Sequence, residues 1–244
     1  LLKNSNKDFQ NITTINEMST GNSNQLAQQH SPEPLRIGAK APGFKVSTTL
    51  GTIDFNEYRK DSWVILFSHP ADFTPVCTTE LVAFSQQKDW FTNRETKLIG
   101  VSVDSIHSHL AWVQNVKEKT GVEFNFPIVA DVNKTVADLY GMIHPDASST
   151  ATVRTVFIID PEGIIRLIIT YPLNVGRNIE EIKRVVTALQ IADSEKVATP
   201  ANWKPGEKVI VPPPKSLSDI EANTNTGYER IDFYLQKKEL AIQV

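Results

Sequence analysis

The chain of 244 residues contains one cysteine, Cys77, and only two methionines. A single thiol cannot close an internal disulfide, so stability must come from a packed core, and the composition fits a reducing compartment such as the cytoplasm. Charge of one sign is also missing: 28 acidic residues stand against 25 basic ones, with no basic block, so nucleic acid and anionic membrane are not expected partners. No apolar stretch is long enough to span a bilayer; the run 164–170 is short and is interrupted by Arg166. The first residue is Leu, and no apolar segment followed by a cleavage site is visible near it, so no secretory signal is expected. Arginine is absent before Arg36, which argues against a mitochondrial type of presequence. The five histidines and the cysteine show no spacing of the zinc or iron kind, so neither metal nor cofactor is expected.

Three segments follow from composition. Residues 1–34 are rich in Asn, Gln, Ser and Thr and carry too few large apolar groups to offset their ordering entropy, so a flexible polar tail is expected. Residues 35–190 alternate strand and helix patterns. Residues 191–244 are proline-rich, with short apolar runs such as Val209-Ile210-Val211, and read as a small extension of strands and loops.

Within the middle segment a hairpin is expected around Gly51, then a buried strand over 63–67 (Trp-Val-Ile-Leu-Phe). A helix follows from Pro75, carrying Leu81 and Phe84, with Trp90 and Phe91 near its end. A strand over 97–103 precedes a helix over about 108–119 closed by Gly121. A strand over 126–129 and a helix over about 133–140 come next, then strands 155–159 and 164–170 around Asp160-Pro161-Glu162-Gly163. A helix over about 179–189 ends the pattern, with Ile182, Val185, Val186 and Leu189 at helical spacing. Such alternation implies an α/β architecture with a central sheet.

Cys77 lies where the first buried strand passes into a helix. Thr74 is a good N-cap and Pro75 suits the first helical position, where a missing N–H costs nothing. Cys77 then occupies the third helical position, facing the free amides of the first turn. The thiolate is the nucleophilic form of cysteine, and a helix N-terminus favours it.

The spacing Pro70-x-x-x-Thr74-x-x-Cys77 resembles the active-site signature of peroxiredoxins. The longer run 67–80, Phe-Ser-His-Pro-x-Asp-Phe-Thr-Pro-Val-Cys-Thr-Thr-Glu, is similar to the one-cysteine, peroxiredoxin-6 type. The stretch Tyr171-Pro172…Gly176-Arg177-Asn178 and the run Ala198-Thr199-Pro200-x-x-Trp203 resemble the same type, so the likeness covers roughly residues 35–212. It implies a thioredoxin-like fold with a small C-terminal β/loop extension. It also implies a thiol-dependent peroxidase, acting on hydrogen peroxide and alkyl hydroperoxides and restored by an external thiol such as glutathione or thioredoxin. Assembly as a homodimer or a larger homo-oligomer is implied too.

By the same resemblance Cys77 is the peroxidatic nucleophile, oxidised to a sulfenic acid. Thr74 directs its hydroxyl toward the sulfur and the attacked oxygen, and also suits a capping role. Pro70 shields the sulfur from water. Arg154, entering a buried-looking strand, matches the arginine that stabilises the thiolate and orients the peroxide. Glu80, one turn after Cys77, would orient that arginine, while His69 and Arg177 are supporting candidates. His107 and His109 are expected at the surface.

Ionisation cannot be the whole of catalysis. A thiol with an ordinary pKa of about 8.5 is already a few per cent ionised at neutral pH, so complete ionisation gains only about thirty-fold. Lowering the pKa also lowers intrinsic nucleophilicity. The rest must come from holding and polarising the O–O bond in the transition state.

Two rival functions compete with this one. Some peroxiredoxin-6 relatives are credited with lipase activity at a Gly-x-Ser-x-Gly-like serine. Here the corresponding run is Lys60-Asp61-Ser62-Trp63-Val64, without either glycine, and Asn56 stands at the nearby histidine position, so Ser62 has neither elbow nor base. The other rival is a non-enzymatic holdase or oligomer whose cysteine only senses redox state.

Overall fold

A computed structural model describes residues 34–222 and 227–240. The segment 1–34 therefore lies, except for Pro34, outside the described residues. In chain order the elements are β1 (Lys45–Thr48), β2 (Gly51–Asp54), α1 (Phe55–Arg59), β3 (Trp63–Ser68), α2 (Pro75–Gln86), α3 (Lys88–Asn93) and β4 (Thr96–Ser102). Then come α4 (Ile106–Thr120), β5 (Ile128–Ala130), α5 (Thr135–Leu139), β6 (Arg154–Ile159), β7 (Ile165–Tyr171) and α6 (Ile179–Glu195). The C-terminal part adds β8 (Val209–Ile210), α7 (Leu217–Ala222), β9 (Glu229–Asp232) and β10 (Leu235–Lys238).

The central sheet has seven strands in the order β2-β1-β5-β4-β3-β6-β7. β3 runs parallel to β4, and β4 to β5, whereas β6 is antiparallel to both β3 and β7. This is the thioredoxin-like arrangement, with the cysteine helix leaving the C-terminal end of a central strand. The continuous apolar run of β3 is explained by burial on both faces. Trp63, Ile65 and Phe67 enter one core with Leu81 and Phe84 of α2, Trp112 and Val116 of α4, and Ile182, Val185 and Val186 of α6. Val64 and Leu66 point into the other, with Phe55, Val136, Ala137 and Tyr140. Phe67 stacks on Phe84 with ring centroids 4.5 Å apart, which seats the cysteine helix directly on its strand.

The elements differ from expectation in four places. The hairpin around Gly51 runs straight into a short helix, α1, that was not expected. The helix after Pro75 does not run on to Trp90: it ends at Gln86 and a second helix, α3, starts at Lys88. The last large helix continues to Glu195, beyond the composition break near residue 190, because Ile191 packs with Val197, Trp203 and Val209 in a small third core. The extension is built on a three-stranded sheet of order β8-β10-β9, as expected for strands and loops, but it also contains the short helix α7. Among the described residues no helix is long and apolar enough to cross a membrane.

Candidate active site around Cys77

Helix α2 starts as its sequence dictates, with Thr74 at the N-cap position in extended backbone and Pro75 in the first turn. The preceding residue, Phe73, has φ 53°, a left-handed conformation that is costly for a bulky side chain, and its side chain is exposed. Nothing in the local sequence signals that strain. Thr74 departs from the expected side-chain cap. Its hydroxyl donates to the Ala71 carbonyl at 2.8 Å and makes no cap bond. The single hydroxyl proton is thereby committed, and the oxygen presents only lone pairs elsewhere.

Cys77 is fully buried and Pro70 is half-buried. Arg154 Nη1 lies 3.4 Å from Cys77 Sγ and donates also to Glu80 Oε2 at 2.8 Å. The guanidinium is held in place from its other edge, where Nε and Nη2 both donate to the Leu173 carbonyl, at 3.0 and 2.7 Å. Leu173 was not singled out by sequence, and no sequence signal marks a residue that acts through its backbone oxygen.

Glu80 sits between two arginines. Arg177 Nη2 donates to Glu80 Oε2 at 2.6 Å, Nε to Oε1 at 3.1 Å, and the Arg177 amide to Oε1 at 2.8 Å. Arg177 Nη1 also donates to the carbonyl of Ser68, the last residue of β3, at 2.8 Å. Its guanidinium lies over the Phe67 ring, 5.0 Å from the centroid. Burial pulls the Arg177 pKa down from its ordinary value, while the charge and hydrogen bonds of Glu80 oppose that pull. The three side chains are almost wholly buried. Two guanidiniums and one carboxylate leave one positive charge beside the sulfur, which a thiolate would neutralise.

Of the histidine expectations, the one for His109 changes. His69 is buried at the end of β3, where its Nε2 lies 3.1 Å from Asp72 Oδ1. His109, expected at the surface, is fully buried: Nδ1 lies 2.8 Å from Asp72 Oδ2 and Nε2 lies 3.1 Å from the Val129 carbonyl. The missed signal was periodicity, since His109, Trp112 and Val116 share the inward stripe of α4. His107, in contrast, is exposed. His69, Asp72 and His109 are the group among the described residues whose donor atoms converge as in a metal site, within 4.8 Å of one another. Those atoms are already engaged with each other and with Val129, so the cluster reads as a hydrogen-bonded chain.

Ser62 lies elsewhere, just before β3, with its hydroxyl donating to the Lys60 carbonyl. The described hydrogen bonds give it no imidazole partner.

Comparison with known proteins identifies the family. Residues 37–168 match the AhpC/TSA family, and residues 188–223 match the C-terminal domain of 1-Cys peroxiredoxin. The chain is 53% identical over 215 residues to a peroxiredoxin of Aquifex aeolicus, covering 84% of this chain and 97% of that one. It is 48% identical over 220 residues to the mitochondrial peroxiredoxin PRX1 of Saccharomyces cerevisiae, covering 87% and 83%. Among solved structures it is similar to the yeast mitochondrial 1-Cys peroxiredoxin, studied for thiol resolution via glutathione/thioredoxin systems (TM-score 0.76, 46% identity, 84% of this chain and 100% of that one). It is also similar to a cysteine-to-serine mutant of the peroxiredoxin 6 of Arenicola marina (TM-score 0.75, 38% identity, 84% and 98%).

Proposed function

The chain belongs to the AhpC/TSA family as a one-cysteine peroxiredoxin, a thiol-dependent peroxidase, and from that premise we infer how its own residues divide the reaction. The observation that carries the assignment is the Arg154 guanidinium shared between Cys77 Sγ and Glu80, at 3.4 and 2.8 Å.

The Cys77 thiolate attacks one oxygen of the peroxide, and the O–O bond breaks. The sulfur loses two electrons and becomes a sulfenic acid; the departing oxygen leaves as water or an alcohol once protonated. Arg154 is placed to donate to sulfur and to the oxygen that gains charge, in a site where few waters compete. Glu80 and Leu173 hold that guanidinium, so its orientation is set before peroxide arrives. Arg177 bonds both carboxylate oxygens of Glu80 and ties it to the end of β3. Thr74, its proton spent on Ala71, offers a lone pair to the peroxide hydroxyl, and Pro70 limits water at the sulfur.

Hydrogen peroxide and small alkyl hydroperoxides are the proposed substrates, supported by the full burial of Cys77. An outside thiol then attacks the sulfenic acid, releasing water and forming a mixed disulfide, and a second thiol frees Cys77. Glutathione or thioredoxin is the proposed source, by analogy with the yeast relative. A homodimer, no nucleic-acid partner and a cytoplasmic location are proposed with it, the last on the strength of the unpaired thiol.

Steady-state consumption of hydrogen peroxide by purified protein tests the assignment, with glutathione, thioredoxin or ascorbate as reductant in separate runs. Turnover is expected with at least one of the two thiol systems and none in Cys77→Ser, whose serine fills nearly the same space but ionises far less readily. Activity above a few per cent in that variant would remove Cys77 from its role.

A further inference from the structure

The chain of His69, Asp72 and His109 has no part in the division of roles above, yet its hydrogen bonds determine where its protons are. A carbonyl oxygen only accepts, so His109 Nε2, 3.1 Å from the Val129 oxygen, carries a proton. A carboxylate also only accepts, so His109 Nδ1, 2.8 and 3.0 Å from the two oxygens of Asp72, carries one too. A ring with both protons is the imidazolium. Placing the proton on Asp72 instead runs against its geometry: Oδ1 faces both His69 Nε2 and His109 Nδ1, Oδ2 faces His109 Nδ1, and these hydrogen bonds oppose the upward pull of burial and hold the pKa of Asp72 low, at about 2.

His69 is the contrasting case. Its Nε2 donates to Asp72, while its Nδ1 is buried with no hydrogen-bond partner. A second proton there would be an unpaired buried donor, and burial keeps this imidazole below its ordinary pKa. Of two histidines on one carboxylate, the surroundings make one a cation and leave the other neutral.

Asp72 is also the hub of the loop that leads into α2. Its amide donates to Asp104 Oδ2 at 3.1 Å, an oxygen that accepts from Ser102 Oγ as well. His69 is bonded through its backbone to Val101 and Thr152. Pro70, Ala71 and Thr74 lie within or next to this short bonded span, and Thr74 closes it onto Ala71.

We propose that His109 is a positioning residue for peroxide reduction: as a buried imidazolium it holds Asp72 as a carboxylate and, through Asp72, fixes His69 and the loop that carries Pro70 and Thr74 into the cysteine helix. This rests on the peroxidase reading of Cys77 and adds to it a residue on a different helix, whose ring bonds go to Asp72 and Val129. The groups facing His109 are Asp72 and His69 from the loop after β3 and the Val129 carbonyl from β5. Asp104 acts at one remove through the Asp72 amide, and the charge of Arg177 reaches His69.

Two measurements test it. In protein labelled with nitrogen-15 histidine at pH 7, His109 should show two protonated ring nitrogens and His69 only one. In Asp72→Asn, His109 should fall to one. Stopped-flow oxidation of Cys77 by hydrogen peroxide should slow about ten-fold or more in His109→Gln and in Asp72→Asn. The double variant should be no slower than the slower single one, because the two act as a unit. A neutral His109 in the wild-type protein, near-wild-type rates in the variants, or additive losses would each overturn the proposal. If His109→Gln does not fold, the near-isosteric Asp72→Asn carries the kinetic arm. Slow oxidation of the wild-type protein itself would instead count against the peroxidase reading, leaving the protonation result intact.

Discussion

Arg154 is the residue whose removal separates charge from shape at this site. Leucine there would leave Glu80 still bonded to Arg177, so no buried carboxylate is orphaned and the fold should survive, with the Leu173 carbonyl losing its donors at a cost of about 1–3 kcal/mol. The rate of Cys77 oxidation should fall about a hundred-fold or more, equivalent to roughly 3 kcal/mol of lost transition-state stabilisation. Arg154→Lys should recover only part of that, since one ammonium cannot meet Cys77, Glu80 and Leu173 together as the planar fork does. Stopped-flow fluorescence with hydrogen peroxide reads both variants, and a wild-type rate constant in Arg154→Leu would take Arg154 out of the reaction.

Elements bring these residues together, and the loop between β3 and α2 does so under tension. A left-handed Phe73 next to a proline-started helix is tolerated because Asp72, immediately before it, is anchored by three bonds to other elements and to His69. That anchoring should depend on pH. The Asp72 pKa is lowered in the folded protein from 3.8 to about 2, so its contribution is fully present above the unfolded value and is lost as the pH falls through the folded one. The window is therefore roughly pH 4 to 2, and the contribution about 2 kcal/mol. Urea midpoints for wild type and Asp72→Asn, measured between pH 6 and 2, should converge toward the acid end. A constant gap across that range would show that Asp72 does not titrate as described.

For the whole molecule the decisive fact is arithmetic: Cys77 is the only cysteine in 244 residues, so no second thiol of this chain can condense with its sulfenic acid. Turnover must therefore draw on an outside thiol, and without one the oxidised intermediate should persist. One equivalent of peroxide should yield a sulfenate that dimedone traps, and excess peroxide should drive it on to sulfinic acid. A disulfide between two Cys77 residues of different subunits is disfavoured by the complete burial of the sulfur beneath Arg154 and the start of α2. Intact mass spectrometry distinguishes these products, and a quantitative Cys77–Cys77 dimer would overturn the one-cysteine cycle while leaving peroxide reduction in place.

Local order determined a large part of this protein before any fold was known. Buried β3, the proline-started helix with Cys77 in its first turn, and the glycine that closes α4 in a left-handed cap all depend on near neighbours, and all stand where the sequence places them. Glu80 was legible for the same reason, being one helical turn from Cys77. Arg154 and Arg177, 77 and 97 residues from their partners Cys77 and Glu80, became candidates through family resemblance, and only antiparallel β6 and the start of α6 bring them to α2. The run of α6 past residue 190 was settled by packing, and the commitment of the Thr74 hydroxyl to Ala71 by a competing bond. His109 shows the division most clearly. Its helical spacing with Trp112 and Val116 turns it inward, but only the tertiary fold supplies Asp72, from the loop after β3, on one side and the Val129 carbonyl of β5 on the other. A histidine's charge depends on which acceptors surround it once water is gone, and these acceptors are 37 and 20 residues away in the chain, so the tertiary structure alone decided it.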